Sequence, residues 1–358
     1  MSFDPTQPHN LPLLPPKIDF KNQAFLEVVA KARTELGELK GLTFSMPNPM
    51  LLISPAVIKE SVASSNIENI NTTVVEVLQN QLFPEVEQKQ PDKEVLHYRD
   101  AIMWGFEQLP KIPISTRLIL GIKHKLLPTS PEDYRQQQNK IENSSTHEVL
   151  YTPPIATNIG RLMGNWETFI NQQDESIDPL VRCALCHYQF EAIHPFSDGN
   201  GRTGRILMVL YLIQSGLLNF PSLYISGYIN QNRSEYYHLL RDVTIKENWN
   251  EFVVFMLNGF YLQAKDTKET LMKVMNLFFE FKRNLKTNFP KIYSGDFVEV
   301  LFSYPIITPV KLAELLGIHY TTASKYLMEL ASKGVLKEGK YGKYHLFINE
   351  QLMKILRK

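Results

Sequence analysis

The sequence is poor in cysteine and has no long apolar run. Two cysteines in 358 residues cannot build a disulfide framework, which favours a reducing compartment. The longest uninterrupted apolar run, Ile206–Ile213, has eight residues, whereas about 20 are needed to cross a bilayer. The N-terminus lacks the basic start and apolar stretch of a secretory signal. We therefore expect a cytoplasmic protein without a membrane segment.

An excess of charge of one sign is also missing. The chain has 38 Lys and Arg against 37 Asp and Glu, so the chain as a whole is not an electrostatic binder of nucleic acid. Hydrophobic residues make up 44% and charged residues 21%, which excludes a disordered or fibrous protein. At roughly 150 residues per domain, the length favours about two domains.

Helical periodicity dominates the chain, so we expect a mainly α fold. Five prolines among the first sixteen residues favour an extended arm before the first helix. Strand signals are few, and the clearest one before residue 290 is Glu148–Tyr151. Apolar residues recur at three- and four-residue spacing over 20–42, 54–82, 91–109, 114–126, 157–172, 178–193, 202–216, 233–245 and 249–285.

The composition changes near Pro290. Residues 291–358 carry ten basic and six acidic side chains, a net charge of +4, which predicts a second domain with its own partner. The pattern there resembles a winged helix-turn-helix, with a wing near its C-terminal end. The predicted helices are Phe297–Ser303, Thr308–Leu316 and Tyr320–Lys333, and the wing falls within 335–348.

The winged-helix resemblance leaves two kinds of partner open. Such a domain places the start of its recognition helix in the major groove of DNA and its wing near phosphates. Winged helices also serve as dimerisation or protein-docking units, so DNA binding and protein docking both stay open. The residues that would face DNA are Thr321, Thr322, Ser324 and Lys325 on the helix and Lys337, Lys340 and Lys343 on the wing.

The most informative segment is the glycine-rich loop HPFSDGNGRTGR, residues 194–205. A loop that leads into a helix exposes backbone N–H groups and the positive end of the helix dipole, which makes an anion site. Gly199 and Gly201 would let the backbone approach a phosphate closely. Arg202 and Arg205 add fork-shaped donors that suit phosphate oxygens.

Two side chains of this loop would supply chemistry. Asp198 could hold Mg²⁺, which binds proteins through one or two carboxylates plus substrate phosphate. His194 could act as a general base at the mouth of the loop. Residues 199–204 also spell G-x-G-x-x-G, but no strand precedes them, which argues against a dinucleotide-binding fold. A plain connecting loop fits these residue types poorly.

The twelve residues resemble the signature of the Fic family (filamentation induced by cyclic AMP), H-P-F-x-D/E-G-N-G-R-x-x-R, at every fixed position. The resemblance covers roughly 60–265. It implies an all-helical core with a short β-hairpin flap that transfers AMP from ATP to a Ser, Thr or Tyr hydroxyl of a target protein. The implied roles are His194 as base, Phe196 as anchor, Asp198 as Mg²⁺ ligand, Gly199, Asn200 and Gly201 at the α- and β-phosphates, and Arg202 and Arg205 at the β- and γ-phosphates.

Three features outside the signature extend the resemblance. Ser64-Ser-Asn-Ile-Glu68-Asn69 matches the family's inhibitory pattern, which implies that Glu68 pairs with Arg205 in place of the γ-phosphate. Two alternatives stay open: Glu68 could be a solvated charge, or it could orient a water for the removal of AMP. Residues 146–154 stand at the flap, where strand addition would hold a target segment. Tyr237 is implied at the adenine pocket, although tyrosines on helices are often core residues.

One further motif matches the pattern of a known cofactor site by coincidence. Cys183-Ala-Leu-Cys186-His187 spells a haem attachment site, but that chemistry requires export and the residues follow an apolar helical pattern. We therefore interpret them as part of a buried helix.

Three functions stay open from the sequence. They are a protein adenylyltransferase inhibited by Glu68, an enzyme that removes AMP with the same site, and a nucleotide-sensing DNA-binding regulator. The expected partners are ATP with Mg²⁺ and a target protein, which could be the chain itself, and a homodimer and DNA bound through 291–358 are left open. The predicted domains are an N-terminal arm and helical region (1–59), a catalytic core (60–265), a connecting helix (266–290) and the winged helix-turn-helix (291–358).

Overall fold

The computed structural model describes residues 3–46, 48–143 and 146–357. The fold is mainly α, as predicted, with two small antiparallel sheets. Among the described residues, no helix combines the length and apolar content that crossing a bilayer requires. The helices are α1 (Gln23–Ser45), α2 (Pro49–Ile67), α3 (Val74–Asn80), α4 (Gln90–Gln108), α5 (Thr116–Leu126), α6 (Ile159–Asn171), α7 (Pro179–Ile193), α8 (Asn200–Gln214), α9 (Ile225–Gln231), α10 (Arg233–Lys246), α11 (Trp249–Asn288), α12 (Gly295–Ser303), α13 (Pro309–Leu316), α14 (Tyr320–Ser332) and α15 (Glu350–Leu356). The strands are β1 (Ile141–Glu142), β2 (Val149–Tyr151), β3 (Ile306–Ile307), β4 (Lys337–Tyr341) and β5 (Tyr344–Ile348).

The proline-rich arm packs against the body of the protein. Leu11 and Leu14 are buried in the core. Leu14 exchanges two hydrogen bonds with the side chain of Asn165 on α6, at 2.8 and 3.0 Å. The side-chain amide of Gln189 on α7 donates to the carbonyl oxygen of Pro12 at 2.7 Å. The arm therefore lies across α6 and α7.

The predicted helix over 54–82 is wrong as one element, because the chain breaks into α2 and α3. Glu68 is the C-cap of α2, and Asn69 follows with φ 62°, a left-handed conformation that Asn tolerates better than most residues. Thr73 then starts α3 with a capping box, in which its hydroxyl accepts the Glu76 N–H and the Glu76 carboxylate accepts the Thr73 N–H. The break places Glu68 at a helix end.

Helices α7 and α8 form the centre of the core and are buried along most of their length. Cys183 and Cys186 are free and buried on α7, and burial raises the pKa of both thiols. His187 is buried as well, and its Nε2 lies 2.9 Å from the Tyr236 hydroxyl. These contacts confirm the interpretation of a core helix and exclude haem attachment.

Helix α11 connects the core to the C-terminal region. Its forty residues span roughly 60 Å, and it packs along α1. The predicted boundary between residues 265 and 266 falls inside this helix. Beyond it, α12, α13 and α14 precede a three-stranded sheet in which β5 pairs antiparallel with both β3 and β4. The predicted order of three helices and a hairpin is present, whereas the short elements α9, α15 and β3 were not predicted.

The β4–β5 hairpin docks on the segment that follows α3. The ring of Phe83 stacks on Tyr344 at 4.3 Å and on Tyr341 at 5.3 Å between centroids. The Glu87 carboxylate accepts hydrogen bonds from the Lys343 ammonium at 3.0 Å and from the Tyr344 hydroxyl at 2.8 Å. Helix α12 packs against α2. The C-terminal region therefore contacts both α2 and the chain that leaves α3.

Candidate active site

The glycine-rich loop has a fixed conformation between α7 and α8. His194 caps α7 in a left-handed conformation, with φ 49° and ψ 60°. Phe196 is buried and holds the loop in the core. The side chain of Asn200 accepts the Phe196 N–H and donates to the Phe196 carbonyl oxygen, both at 2.8 Å. The Asn200 side chain therefore shapes the loop, which leaves its backbone N–H for a ligand.

A second support for the loop is Arg135, which the sequence analysis missed. Its backbone N–H donates to the carbonyl oxygen of Pro195 at 2.8 Å. Its guanidinium donates to the carbonyl oxygens of His194 at 2.9 Å and Pro154 at 2.5 Å. Arg135 therefore ties the loop to the chain that leaves the β1–β2 hairpin. A single arginine in a loop carries no sequence signal for this role.

The environment of His194 suits a base. Its ring is half-buried, and this burial lowers the pKa of His194 to about 4, so the imidazole is neutral near pH 7. Nδ1 lies 3.4 Å from the carbonyl oxygen of Glu191, which favours the proton on Nδ1. Nε2 is then left with a free lone pair, as a general base requires.

The start of α8 has the features of an anion site. Gly199 precedes the helix with φ 79°, which glycine adopts without strain. The N–H groups of Asn200, Gly201 and Arg202 have no carbonyl one turn earlier within the helix. A Cβ added to Gly201 would lie 2.4 Å from Oε1 of Glu68, so a side chain there would have to displace this carboxylate. A carboxylate therefore sits directly against the backbone that the sequence analysis assigned to phosphate.

Arg205 holds that carboxylate. Nη2 of Arg205 donates to Glu68 Oε1 at 2.7 Å, and the same guanidinium donates to the hydroxyl and the carbonyl oxygen of Ser64 at 2.7 and 3.0 Å. Burial would raise the pKa of Glu68, but Arg205 outweighs it and keeps this pKa below its usual value. Burial would likewise lower the pKa of Arg205, but Glu68 and Glu191 together raise it. Both partners are charged at pH 7.

Arg202 is shared between two carboxylates. It is buried, and it donates to Glu94 at 3.0 Å and, more distantly, to Asp198 at 3.5 Å. Its Nε has no hydrogen-bond partner in the part of the chain that the structure describes. Glu94 lies on α4, more than 100 residues earlier in the sequence, and was not predicted. Arg202 is therefore held between two carboxylates, with one buried N–H left without a partner.

Asp198 fits a magnesium ligand. Its side chain is 67% exposed at the mouth of the loop, and one carboxylate oxygen accepts the Gly199 N–H at 2.6 Å. Within residues 3–46, 48–143 and 146–357, no three or more His, Cys, Asp or Glu side chains form a group that could hold a metal. A cation at Asp198 would therefore take its other ligands from phosphate oxygens and water, as Mg²⁺ commonly does.

The two neighbouring tyrosines on α10, Tyr236 and Tyr237, lie in different environments. Tyr236 is buried and bonds to His187, whereas Tyr237 is 45% exposed. The Arg233 guanidinium lies 5.9 Å from the centre of the Tyr237 ring. Tyr237 is therefore the member of the pair with a ring face available to a ligand.

The predicted flap is a hairpin. Strands β1 and β2 pair antiparallel, with Ile141 opposite Tyr151. The Tyr151 hydroxyl donates to the carbonyl oxygen of Ala192 at 2.9 Å, which fixes the hairpin to the end of α7. The hairpin and His194 are thus held by the same helix end.

Two acids behind the site, buried Glu60 and half-buried Glu191, were also missed. Glu60 accepts the Ser226 N–H at 3.0 Å and the Tyr98 hydroxyl at 3.1 Å, and burial raises its pKa. Glu191 is packed against Gly204, and burial raises its pKa to about 7. Isolated glutamates within helical patterns give no sequence sign of such contacts.

Comparisons with known proteins agree with this geometry. Residues 26–107 match the Fic/DOC family N-terminal region, and residues 113–212 match the Fic/DOC family. Residues 277–352 match the C-terminal domain described as protein adenylyltransferase SoFic-like. The two Fic/DOC matches together cover just over half of the chain, and the chain belongs to the Fic/DOC family.

Two proteins of similar sequence are named as protein adenylyltransferases. Probable protein adenylyltransferase aq_aa38 of Aquifex aeolicus is 29% identical over 236 residues, which cover 64% of this chain and 66% of the relative. Protein adenylyltransferase Fic of Drosophila melanogaster is 33% identical over 136 residues, which cover 37% of this chain and 25% of the relative. The chain thus spans just under two thirds of the first relative and a quarter of the second.

Solved structures share the fold. A Fic family protein from Desulfovibrio desulfuricans G20 has a TM-score of 0.61 at 21% identity, and the match covers 96% of this chain and 98% of that one. A Fic domain containing signalling protein from Bacteroides thetaiotaomicron has a TM-score of 0.55 at 17% identity, and the match covers 68% of this chain and 96% of that one. At these identities the likeness concerns the fold alone.

Proposed function

We propose that this chain is a protein adenylyltransferase that transfers AMP from ATP to a hydroxyl group of a target protein and is inhibited by its own Glu68. The observation that carries the proposal is the position of the Glu68 carboxylate, which is bonded to Arg205 and packed against Gly201. Helix N-termini and arginine forks bind carboxylates and phosphates alike. Glu68 thus occupies the place that the terminal phosphate of ATP would take.

In the proposed reaction, His194 acts on the target hydroxyl. Its neutral imidazole takes the proton on Nε2 as the hydroxyl oxygen attacks the α-phosphorus of ATP. A bond forms between this oxygen and phosphorus, the bond from the α-phosphorus to the bridging oxygen breaks, and pyrophosphate leaves. The left-handed backbone of His194 and its bond from Arg135 keep the imidazole at the loop mouth during this step.

The remaining loop residues bind the leaving group. The N–H groups of Asn200 and Gly201 would hold phosphate oxygens, and Gly199 would let the backbone approach them closely. Arg202 and Arg205 would neutralise the charge that develops on pyrophosphate. Asp198 would hold Mg²⁺, which supplies charge neutralisation and orientation of the phosphates. Tyr237 would contact the adenine with its exposed ring face.

The inhibition follows from competition for Arg205. While Glu68 holds the guanidinium, ATP can bind only with its terminal phosphate displaced, and the α-phosphorus is then out of line with the incoming hydroxyl. The same Glu68 could orient a water against a modified hydroxyl, which would drive the removal of AMP. This alternative uses the same loop and is separated from transfer by the experiment below.

The C-terminal region is a candidate binding unit for DNA, and we propose residues 291–358 as that domain. Thr321 and Lys325 are exposed on α14, which favours this assignment. On the wing, Lys340 is exposed while Lys343 is bonded to Glu87. Binding of a labelled DNA duplex that weakens steeply with salt would support it, and salt-independent or absent binding would leave protein docking as the role.

The test of the proposed reaction compares two labels. The Glu68→Gly variant is incubated with Mg²⁺ and either α-³²P-ATP or γ-³²P-ATP, with and without candidate target proteins. Protein-bound label from α-³²P-ATP alone is the expected result, since pyrophosphate carries the γ-phosphate away. Label from γ-³²P-ATP would indicate a kinase. Label from neither, with ATP still bound, would favour a nucleotide sensor, and release of AMP from previously modified protein would favour the reverse reaction.

A further inference from the structure

A cavity of about 410 Å³ lies on the far side of the helix that carries Ser64. Its walls come from α2, the start of α3, the start and end of α9, and the end of α15. Val62, Val74 and Leu356 line it with apolar surface, while Lys59, Asn66 and Arg357 add polar groups. Its volume falls within the range of about 300–1,000 Å³ that is usual for small-molecule sites. None of the loop residues 194–205 lines it.

The cavity and the active site share two turns of α2. Lys59, Val62 and Asn66 follow each other at three- and four-residue spacing and therefore form one face of the helix. Ser64, which holds Arg205, lies on another face of the same turns, and Glu68 ends the helix. A molecule in the cavity would therefore touch the helix segment that positions Glu68.

Two of the polar side chains at the cavity, half-buried Lys59 and exposed Arg357, are positive and incompletely paired. In the described part of the chain, neither Lys59 nor Arg357 forms an ion pair with an acidic side chain within 4 Å. The Lys59 ammonium stands 5.0 Å from the centre of the Tyr224 ring, and burial lowers the pKa of Lys59 despite the opposing effect of Asp266. A half-buried cation of this kind gains more from an anion than an exposed lysine does.

An orphaned acceptor gives a second, independent sign of a ligand. The side-chain oxygen of Asn66 is buried and has no hydrogen-bond partner among the described residues. A buried acceptor without a partner costs about 1–3 kcal/mol, so such atoms are rare unless something else satisfies them. This oxygen has less than 1 Å² of accessible surface in the present rotamer, but the Asn66 side chain lines the cavity, so a rotation of its amide would present the oxygen to a ligand with a donor group.

We infer that this cavity binds a small organic anion that has an apolar body and at least one hydrogen-bond donor. The anionic group lies between Lys59 and Arg357, the donor meets the Asn66 oxygen, and the apolar body packs on Val62, Val74 and Leu356. Because the ligand bridges α2 to α15, its binding stabilises α2 in the position seen here. Its regulatory consequence rests on the proposed function, whereas the binding itself does not.

The test uses 4-hydroxybenzoate, which carries all three features, and isothermal titration calorimetry on the full chain. We expect one site with an affinity of about 1 mM or better. Lys59→Met and Arg357→Met should each weaken binding about tenfold, because each removes one charged contact. Lys31→Met, an exposed lysine on α1, is the matched control and should bind as the wild type does. No binding at about 10 mM, or equal binding by all variants, would overturn the inference.

Three related probes check the chemistry. Benzoate lacks the donor, methyl 4-hydroxybenzoate lacks the charge and inorganic phosphate lacks the apolar body. Each should bind at least several-fold more weakly than 4-hydroxybenzoate. Equal binding by the methyl ester would show an apolar cavity without anion selectivity, which contradicts the assignment of Lys59 and Arg357.

The regulatory consequence has its own measurement. With α2 held in place, saturating 4-hydroxybenzoate should weaken ATP binding to the wild type, since coupling between two sites acts through the shared helix. The effect should vanish in Glu68→Gly, where α2 no longer carries the competing carboxylate. An equal loss of ATP affinity in both proteins would place the probe in the ATP site and refute the separate cavity. Neither measurement needs AMP transfer, so a failure of the proposed reaction leaves the test intact.

Discussion

Replacing Glu68 with glycine tests the central contact of the site. The change removes one charge-assisted hydrogen bond to Arg205, at 2.7 Å, and clears the space against Gly201. A hydrogen bond to a charged group contributes about 1.5–3 kcal/mol. At about 1.4 kcal/mol per factor of ten, this predicts a 10- to 150-fold rise in the rate of AMP incorporation. Glu68 is a helix C-cap with φ −89°, a conformation that glycine also adopts, so the backbone should keep its course.

The assay is the initial rate of protein-bound label from α-³²P-ATP, with a matched control. Glu247 is also the C-cap of its helix, α10, and is exposed with φ 56°, so Glu247→Gly makes the same chemical change away from the site. We expect a rise for Glu68→Gly, none for Glu247→Gly and none for Glu68→Gly/His194→Ala. A folded Glu68→Gly protein with an unchanged rate would refute inhibition by Glu68. Label in the double variant would remove His194 as the base.

Thermal unfolding separates released activity from a general change in stability. In Glu68→Gly the buried Arg205 keeps its two bonds to Ser64 but loses its carboxylate partner. An unpaired buried charge is destabilising. The unfolding midpoint should therefore fall while the transfer rate rises. A variant that gains both stability and activity would contradict the account of this ion pair.

Three further predictions follow from the same contacts. Ser64→Ala removes the hydroxyl that accepts from Arg205 but leaves Glu68, so incorporation of label should rise less than in Glu68→Gly. An equal rise would contradict the view that Glu68 contributes more to inhibition than Ser64 does. The transfer rate of Glu68→Gly should fall with acid only near pH 4, because burial keeps the pKa of His194 near that value and loss of the Glu68 charge lowers this pKa further. A fall in the rate centred near pH 6.5 would contradict a buried base. Phe83→Ala removes a buried ring that stacks on Tyr344, so the free energy of unfolding in denaturant should drop by about 3–5 kcal/mol, and a drop below about 1 kcal/mol would show that the hairpin docks without it.

Predictions that depend on residues close together in the sequence need only local chemistry. The loop 194–205 carries its glycines, its arginines and His194 in one stretch, which is enough to predict an anion site, and this site stays a prediction. Helix periodicity likewise located α7, α8 and α11, because each buries a continuous apolar surface. The pairing of Glu68 with Arg205 came from the family pattern, and the structure now supplies its distance.

The features that were missed depend on tertiary contacts or on single backbone conformations. Arg135 and Glu94 act on the loop from distant segments, and nothing in their neighbourhoods distinguishes them from surface charges. The end of α2 depends on the left-handed conformation of Asn69, which a periodic pattern over 54–82 does not reveal. Helices α9 and α15 have seven residues each, too few for a periodic signal.

Helix α11 is unbroken from Trp249 to Asn288, so its number of residues fixes the distance and the rotation between the core and the C-terminal region. Within one helix, each inserted residue would turn everything beyond it by about 100° and advance it by about 1.5 Å. The β4–β5 hairpin would then miss Phe83 and Glu87, which lie on a separate part of the chain with their own fixed position. The docking of the hairpin therefore fixes the number of residues in α11. Substitutions along its exposed face are tolerable, whereas a single insertion or deletion would move the β4–β5 hairpin out of register with the surface on which it packs.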